Sequence, residues 1–277
     1  MILDWKIIAE KIYKKIKKEV LSQEKKPRLW AILVWNNPSS LRYINQKRKW
    51  AEEVGITFEL FSFDENISEE QLLQTINNLN NDKNISWFII QLPLPKHIDE
   101  KKVINSINPL KDVDWFHIKN QWKIVVWDNS GLVACTPAGI IELCKYYNIE
   151  LIWKNVVVIW RSNIVGKPII NLLINIWATV TSCNSKTKNI EFFTKNADII
   201  ITAMWMPKFL TVDKIKKDAC IIDVWFTVID EKIYWDADFE NILNNWNDIT
   251  PVPGGVGALT VAMLMTNTLK AHKNLLI

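Results

Sequence analysis

The chain has 277 residues, 49% of them hydrophobic and 23% charged, with a formal net charge of +4. This is the composition of a globular protein with a substantial core, in one large domain or two modest ones. The small positive charge demands neither a nucleic-acid nor a membrane partner, and it fits an anionic small ligand equally well.

The N-terminal stretch MILDWKIIAEKIYKK lacks the long apolar core and small-residue cleavage site of a signal peptide, and no apolar run approaches a membrane span. Cys135, Cys144, Cys183 and Cys220 show no CxxC spacing, and His97, His117 and His272 show no metal spacing. No metal site is expected, and the plain reading is a reduced, cytoplasmic protein. One count is unusual: 7 Gly against 15 Trp, where a globular chain of this length carries roughly 19 glycines.

The segment LWAILVW at 29–35 reads as a buried strand, followed by a polar turn, NNPSS, and a helix over 41–55 that ends at Gly55. TFELFSF at 57–63 reads as a strand. The helix after it opens with Ser68 and two glutamates, a good N-terminal signal. ISWFIIQLPLP at 85–95 predicts a strand running into a proline-stiffened turn.

A second series begins after residue 117. It comprises a helix over 136–149 with proline in its first turn, a strand at 155–159, a loop, and a helix to about residue 176. Strands at 178–183, 197–204 and 219–224 follow, and a proline- and glycine-rich loop leads into a C-terminal helix ending near 273. Strands alternating with helices predict an α/β fold of two lobes with mostly parallel sheets. The cleft between the lobes is the default ligand site.

In the second lobe, the run VVVIWRSNIVGKP at 156–168 is strand, tight loop, helix, which is the unit that places a pyrophosphate at a helix N-terminus. Trp160, Arg161, Ser162, Ile164, Val165 and Gly166 are the candidate cofactor-binding residues of that loop. Trp160 stands where the first glycine of such a loop belongs. The next strand ends in SCNSKTK at 182–188, without the acid that grips the ribose hydroxyls of NAD. Arg161 with Ser185, and also Lys186, can instead hold a 2′-phosphate, which points to NADP. Taken singly, each basic residue reads equally well as a solvated surface charge.

In the first lobe, Tyr43 and Lys47 are spaced i, i+4 on one helix face, so the hydroxyl can orient the amine for acid/base chemistry. Spacing alone favours a plainer reading of Lys47 as one of several solvated charges, beside Arg48 and Lys49. Gln91 ends a strand and Asp114 precedes the second lobe; both can face a cleft, and both can equally be turn or cap residues. Asp112 is the better capper.

Taken together, YINQK (43–47), QLPLP (91–95), KDVDWFH (111–117), CTPAGI (135–140), the loop at 156–168, ATVTSCNSKT (178–187) and TPVPGGVGALT (250–260) resemble one family nearly end to end. It is the bifunctional methylenetetrahydrofolate dehydrogenase/methenyltetrahydrofolate cyclohydrolase family, often called FolD. QLPLP followed by TPVPGGVG is highly specific to it. The resemblance implies a folate-binding catalytic domain over 1–117 plus the C-terminal helix 258–277, and a Rossmann-like NADP-binding domain over 118–257.

It further implies Lys47 as the catalytic lysine, held by Tyr43 and Gln91, and Asp114 as the carboxylate that binds the pterin. Pro253, Gly254, Gly255 and Val256 are implied as part of the folate-site wall, and Arg161 and Ser185 as the 2′-phosphate contacts. The implied activity is NADP-dependent oxidation of 5,10-methylenetetrahydrofolate followed by hydrolysis to 10-formyltetrahydrofolate, in one-carbon metabolism. The implied state is a homodimer, with tetrahydrofolate derivatives as small-molecule substrates.

Two departures are mild: Asn184 replaces a common histidine, and Ala258 a common proline. The large one is tryptophan. Trp5, Trp35, Trp87, Trp115, Trp122, Trp127, Trp153, Trp160, Trp177, Trp205, Trp225 and Trp235 stand where the family usually has glycine; Trp30, Trp50 and Trp246 do not align so clearly. Each such change is expected to cost about 1–3 kcal/mol by strain or overpacking. A dozen would exceed a net stability of about 5–15 kcal/mol.

Drift would also scatter substitutions over many residue types. The reading that fits is a decoding difference, in which UGA codons that the source reads as glycine are written as tryptophan. Some bacterial lineages with reduced genomes reassign UGA to glycine, while a common alternative code assigns it to tryptophan. Two other readings compete: a folate-binding or cyclohydrolase-only protein with a blocked NADP loop, and a non-enzymatic α/β scaffold that binds a partner through an aromatic surface.

Overall fold

The computed structural model describes the chain except for residues 36, 83–84, 86, 129, 230–231, 252–256 and 276–277. By its internal contacts the chain divides into two units, Glu10–Cys135 with Val261–Ile277, and Met1–Ala9 with Thr136–Thr260. In chain order the first elements are α1 (Trp5–Leu21), β1 (Arg28–Val34), α2 (Pro38–Glu53), β2 (Thr57–Phe63), α3 (Glu69–Asn81), β3 (Phe88–Gln91), α4 (Glu100–Ser106) and α5 (Ile118–Val125).

They are followed by α6 (Cys135–Tyr146), β4 (Asn155–Ile159), α7 (Gly166–Asn175), β5 (Thr179–Cys183), α8 (Ile190–Thr194), β6 (Ile199–Thr202) and β7 (Cys220–Asp223). The antiparallel pair β8 (Phe226–Ile229) and β9 (Lys232–Trp235), then α9 (Phe239–Asn244), β10 (Asp248–Ile249) and α10 (Gly257–Leu275), complete the order.

In the unit containing residues 10–135, β1 lies between β2 and β3 in a parallel sheet. A central parallel strand is covered on both faces, and β1 is accordingly an apolar run whose last four residues are all buried. Ile32 and Val34 pack with Phe88 and Ile90 of β3 and with Leu72 and Ile76 of α3. Ser68 opens α3 with a capping box, its hydroxyl accepting from Gln71 N–H while the Gln71 carboxamide oxygen accepts from Ser68 N–H.

In the other unit, the five parallel strands run β10-β7-β6-β4-β5. The chain goes from β4 to β5 on one side, then returns to β6 on the other. The strand order therefore reverses between β4 and β6, and the carboxyl ends of those two strands form the crevice where such sheets bind ligands.

The boundaries differ in places from those expected. α2 begins at Pro38, so most of NNPSS is helix rather than turn; proline suits a first helical turn because the N–H it lacks is unpaired there anyway. β3 is four residues long, shorter than the run at 85–95. Relative to the boundary expected at 117, residues 118–135 group with the first unit and residues 1–9 with the second. Asp112 ties α5 to the first unit by accepting from His117 N–H and Asn120 Nδ2. Residues 1–3 add to the second sheet through the Ile2–Ile249 bridge and the Leu3 N–H to Ile249 carbonyl bond.

Eight tryptophans have left-handed backbone: Trp35, Trp115, Trp127, Trp153, Trp160, Trp177, Trp205 and Trp246, with φ between 58° and 96°. The helix ends explain three of them. Gly55 follows the end of α2 with φ 85°, and Ile56 N–H closes onto the Ala51 carbonyl, the usual glycine stop. Trp127, Trp177 and Trp246 hold that same position after α5, α7 and α9. After α6 it is held by Asn148, the other residue that tolerates it. Trp246 is 86% exposed, so its indole gains no packing in return for the strain.

Candidate active site

In the first unit, α2 carries Lys47 to a buried position beside the ends of β3 and the following loop. Its Nζ donates to Gln91 Oε1 at 3.2 Å and to Asp114 Oδ2 at 3.4 Å. Lys47, Gln91 and Asp114 are each 8% exposed. The surface reading that spacing alone favoured for Lys47 therefore does not hold.

Gln91 is fixed from its other end, its Nε2 donating to the Leu92 carbonyl. Asp114 is held on its second oxygen by the Cys135 thiol at 3.7 Å. Burial and the neighbouring carboxylate push the Cys135 pKa well up, so the sulfur keeps its proton and can donate. Asn267 of α10 donates to the carbonyls of Val113 at 3.0 Å and Val133 at 2.8 Å, fixing the backbone beside both Asp114 and Cys135.

Tyr43 is half-buried on the same helix as Lys47. Among the described residues no hydrogen bond joins the two side chains. Burial raises the Tyr43 pKa, so the phenol remains a proton donor. Pro253, Gly254, Gly255 and Val256 lie outside the described residues. Asp112 is a turn organiser, accepting from Trp115 N–H at 2.9 Å and His117 N–H at 2.8 Å. The histidines have structural partners: His117 caps α5, while His97 and His272 meet the Ile67 and Lys25 carbonyls. Among the described residues no cluster of His, Cys, Asp or Glu is arranged to hold a metal.

Cys135 and Asn267 are the site residues that sequence reasoning missed. A lone cysteine and an asparagine inside a helix carry no spacing signal.

In the second unit, β4 leads into the loop 160–165 and α7 begins at Gly166. Ser162 Oγ accepts from Val165 N–H at 3.2 Å and Gly166 N–H at 3.3 Å, which tightens the loop. A Cβ on Gly166 would lie 2.3 Å from the Trp160 carbonyl oxygen and 2.7 Å from Arg161 Cα, so this close approach needs glycine. Val165 is buried and Ile164 exposed.

Ile159 pairs with Cys183, so Arg161 and Ser185, each two residues further on, leave the sheet side by side. Both are exposed, as is Lys186. Asn184 organises the turn that carries Ser185, its Oδ1 accepting from Lys186 N–H.

The backbone thus fits a dinucleotide, with a tight loop and a helix N-terminus at the switch point. The written side chains do not fit it. Trp160 has φ 96°, and its ring meets Trp205 after β6 at 6.2 Å between centroids. Trp205 in turn meets Trp225 after β7 at 5.5 Å. Three indoles line the carboxyl ends of β4, β6 and β7, where a pyrophosphate needs bare backbone.

Fold and site together define a two-unit α/β enzyme with a lysine–carboxylate centre in one unit and a dinucleotide fold in the other. Residues 3–114 match the catalytic domain of tetrahydrofolate dehydrogenase/cyclohydrolase, and residues 134–276 match its NAD(P)-binding domain. A bifunctional protein FolD of Campylobacter hominis is 45% identical over 277 residues, covering 99% of this chain and 97% of its own. The crystal structure of the bifunctional FolD methylenetetrahydrofolate dehydrogenase/cyclohydrolase from Campylobacter jejuni superimposes with a TM-score of 0.96, at 40% identity, covering 99% of both chains. A Trypanosoma brucei FolD structure, complexed with NADP cofactor and inhibitor, gives 0.93 at 30% identity, covering 100% of this chain and 98% of the other. The chain belongs to the tetrahydrofolate dehydrogenase/cyclohydrolase family.

Proposed function

We infer that the protein oxidises 5,10-methylenetetrahydrofolate to 5,10-methenyltetrahydrofolate with NADP and hydrolyses that product to 10-formyltetrahydrofolate. The observation that carries the reading is the buried Lys47–Gln91–Asp114 cluster within a full-length family match.

In the hydrolysis, water adds to the methenyl carbon and loses a proton. The bond from that carbon to one ring nitrogen then breaks, and the nitrogen takes a proton. One group that gives and takes protons can serve both steps, and Lys47 is the group placed to do so. Gln91 fixes its direction, and Asp114 offers the negative charge that holds both the lysine and the cationic pterin. Bound NADP supplies the two-electron acceptor for the oxidation. Arg161 and Ser185 would hold its 2′-phosphate, and the loop from 160 to Gly166, with glycine in place of Trp160, would hold its pyrophosphate. The folate wall at Pro253–Val256, the cytoplasmic location and the homodimer are part of the same proposal.

The native chain, on this reading, carries glycine where the left-handed tryptophans are written. The support is conformational. Eight tryptophans adopt a backbone that costs a non-glycine residue about 1–3 kcal/mol, a sum as large as the whole usual net stability of about 5–15 kcal/mol. Trp5 and Trp87, fully buried, also leave their indole N–H groups without partners among the described residues.

Mass spectrometry of the natively produced protein decides the matter on the tryptic peptide after Lys154. NVVVIGR restores the loop; NVVVIWR sinks the glycine reading and leaves the dinucleotide crevice filled. Activity is tested by following the methenyl compound with and without NADP. A protein that neither forms nor consumes it is not this enzyme.

A further inference from the structure

Asp236 follows β9 and is 1% exposed, yet among the described residues it has no ion pair. Its partners are neutral donors from one short segment. Met204 N–H and Thr202 Oγ1 donate to Oδ2, the latter at 3.1 Å, and Met206 N–H donates to Oδ1 at 2.7 Å. The residue between the two methionines has φ 58°. Successive N–H groups around a left-handed residue form a concave anion nest, and here the anion is the chain's own carboxylate.

The segment so gripped begins at the carboxyl end of β6, directly beside β4. The Ala203 N–H donates to the Ile159 carbonyl at 3.3 Å, so the segment leaves the sheet beside the loop between β4 and α7. It is therefore one wall of the crevice at the switch point, and its shape is set by a residue that is not itself in the wall.

We propose that Asp236 is a positioning residue for the dehydrogenase half of the enzyme, holding the 203–206 segment in the shape that borders the bound dinucleotide. The proposal rests on the NADP reading given above. Asp236 touches no reacting atom. Its removal leaves two backbone N–H groups and a hydroxyl without their acceptor, and the wall is free to collapse into the crevice. The hydrolytic centre of Lys47, Gln91 and Asp114 belongs to the other unit, and its step uses no dinucleotide.

The test is Asp236→Asn in the natively encoded chain, with oxidation and hydrolysis assayed in parallel. An amide in place of the carboxylate turns a donor toward the N–H groups of the nest. The expected result is a rise of about tenfold or more in KM for NADP, with kcat/KM for hydrolysis of the methenyl compound within about twofold of the parent. Thr202→Val, which removes one donor to the same carboxylate, is the milder companion and should raise KM for NADP by about threefold.

An unchanged KM for NADP in both variants overturns the proposal. So does an Asp236→Asn variant that loses both activities together while Thr202→Val behaves as the parent, since that pattern marks a merely structural acid. A parent that hydrolyses the methenyl compound but shows no NADP-dependent oxidation overturns the dehydrogenase reading first, and this proposal falls with it.

Discussion

The Lys47 ammonium lies 3.4 Å from Asp114 Oδ2, with both side chains only 10% exposed. Charges so enclosed are costly unless they serve each other, and here Gln91 supplies a further acceptor. Such a lysine is held in a single direction. Lys47→Met should therefore lower the hydrolytic rate by about 100-fold or more, the usual worth of a positioned proton-transfer group. Oxidation of the methylene compound needs no such proton relay and should fall less. Equal loss of both activities would mean that Lys47 only binds substrate.

The same enclosure makes Asp114 matter for stability as well as for binding. Asp114→Ala leaves the lysine charge without its counter-ion and should cost about 3–5 kcal/mol. If both reactions use the one folate site proposed above, it should also raise KM for the folate in both. Urea unfolding and paired kinetics check the two halves separately. A variant as stable as its parent would show that water already screens the pair.

Much of this was legible in the sequence, for reasons that can be stated. β1 after Arg28 and β4 after Asn155 are unbroken apolar runs, and Ser68 ahead of two glutamates reads as a helix start, which the structure completes as a capping box with Gln71. α4 and α5 were not anticipated, being seven and eight residues long, too short to show a helical period. The burial of Lys47 was not legible either. It depends on β3 and the 112–114 turn coming to α2 from far along the chain, and local spacing among Arg48 and Lys49 pointed to the surface. The loop at 160–166 was legible despite Trp160, because Ser162, Gly166 and the flanking strand and helix still dictate its path.

Trp246 offers a test of backbone strain that does not depend on any ligand. It follows α9 with φ 67° and is 86% exposed, so its ring contributes little packing. In a chain that carries glycine at the other seven left-handed tryptophan positions, Trp246→Gly should stabilise the fold by about 1–2 kcal/mol in urea unfolding, the penalty of left-handed backbone for a residue with a Cβ. Trp246→Ala keeps the Cβ and should gain nothing comparable. If alanine and glycine stabilise equally, the benefit comes from removing an exposed indole and not from the backbone.

The four cysteines give a simple probe of the native core. All are buried and free; burial pushes Cys144 up to about 12 and raises Cys135 and Cys220 well above the ordinary thiol value. Thiolate is the reactive form, so a disulfide-exchange reagent at neutral pH should leave the native protein untouched and modify all four in denaturant. Rapid reaction of one thiol in the native state would show that its unit opens far more readily than its packing implies.

Asp223 yields the pH prediction. It ends β7, 1% exposed; its Oδ2 accepts from Ala237 N–H at 2.8 Å, while its buried Oδ1 has no partner among the described residues. Desolvation first, then the Asp236 charge, raises its pKa well above 3.8. A carboxyl whose folded pKa is raised adds stability below its unfolded value and loses that contribution as pH climbs through the folded value. Stability should therefore fall from mildly acidic pH upward, over a window that begins near the ordinary carboxylate range. Asp223→Asn keeps an oxygen for Ala237 N–H and never ionises. It should flatten that slope and be more stable than the parent at neutral pH. Thermal unfolding across the pH range checks the sign, and a parental slope that the variant leaves unchanged would place the titrating group elsewhere.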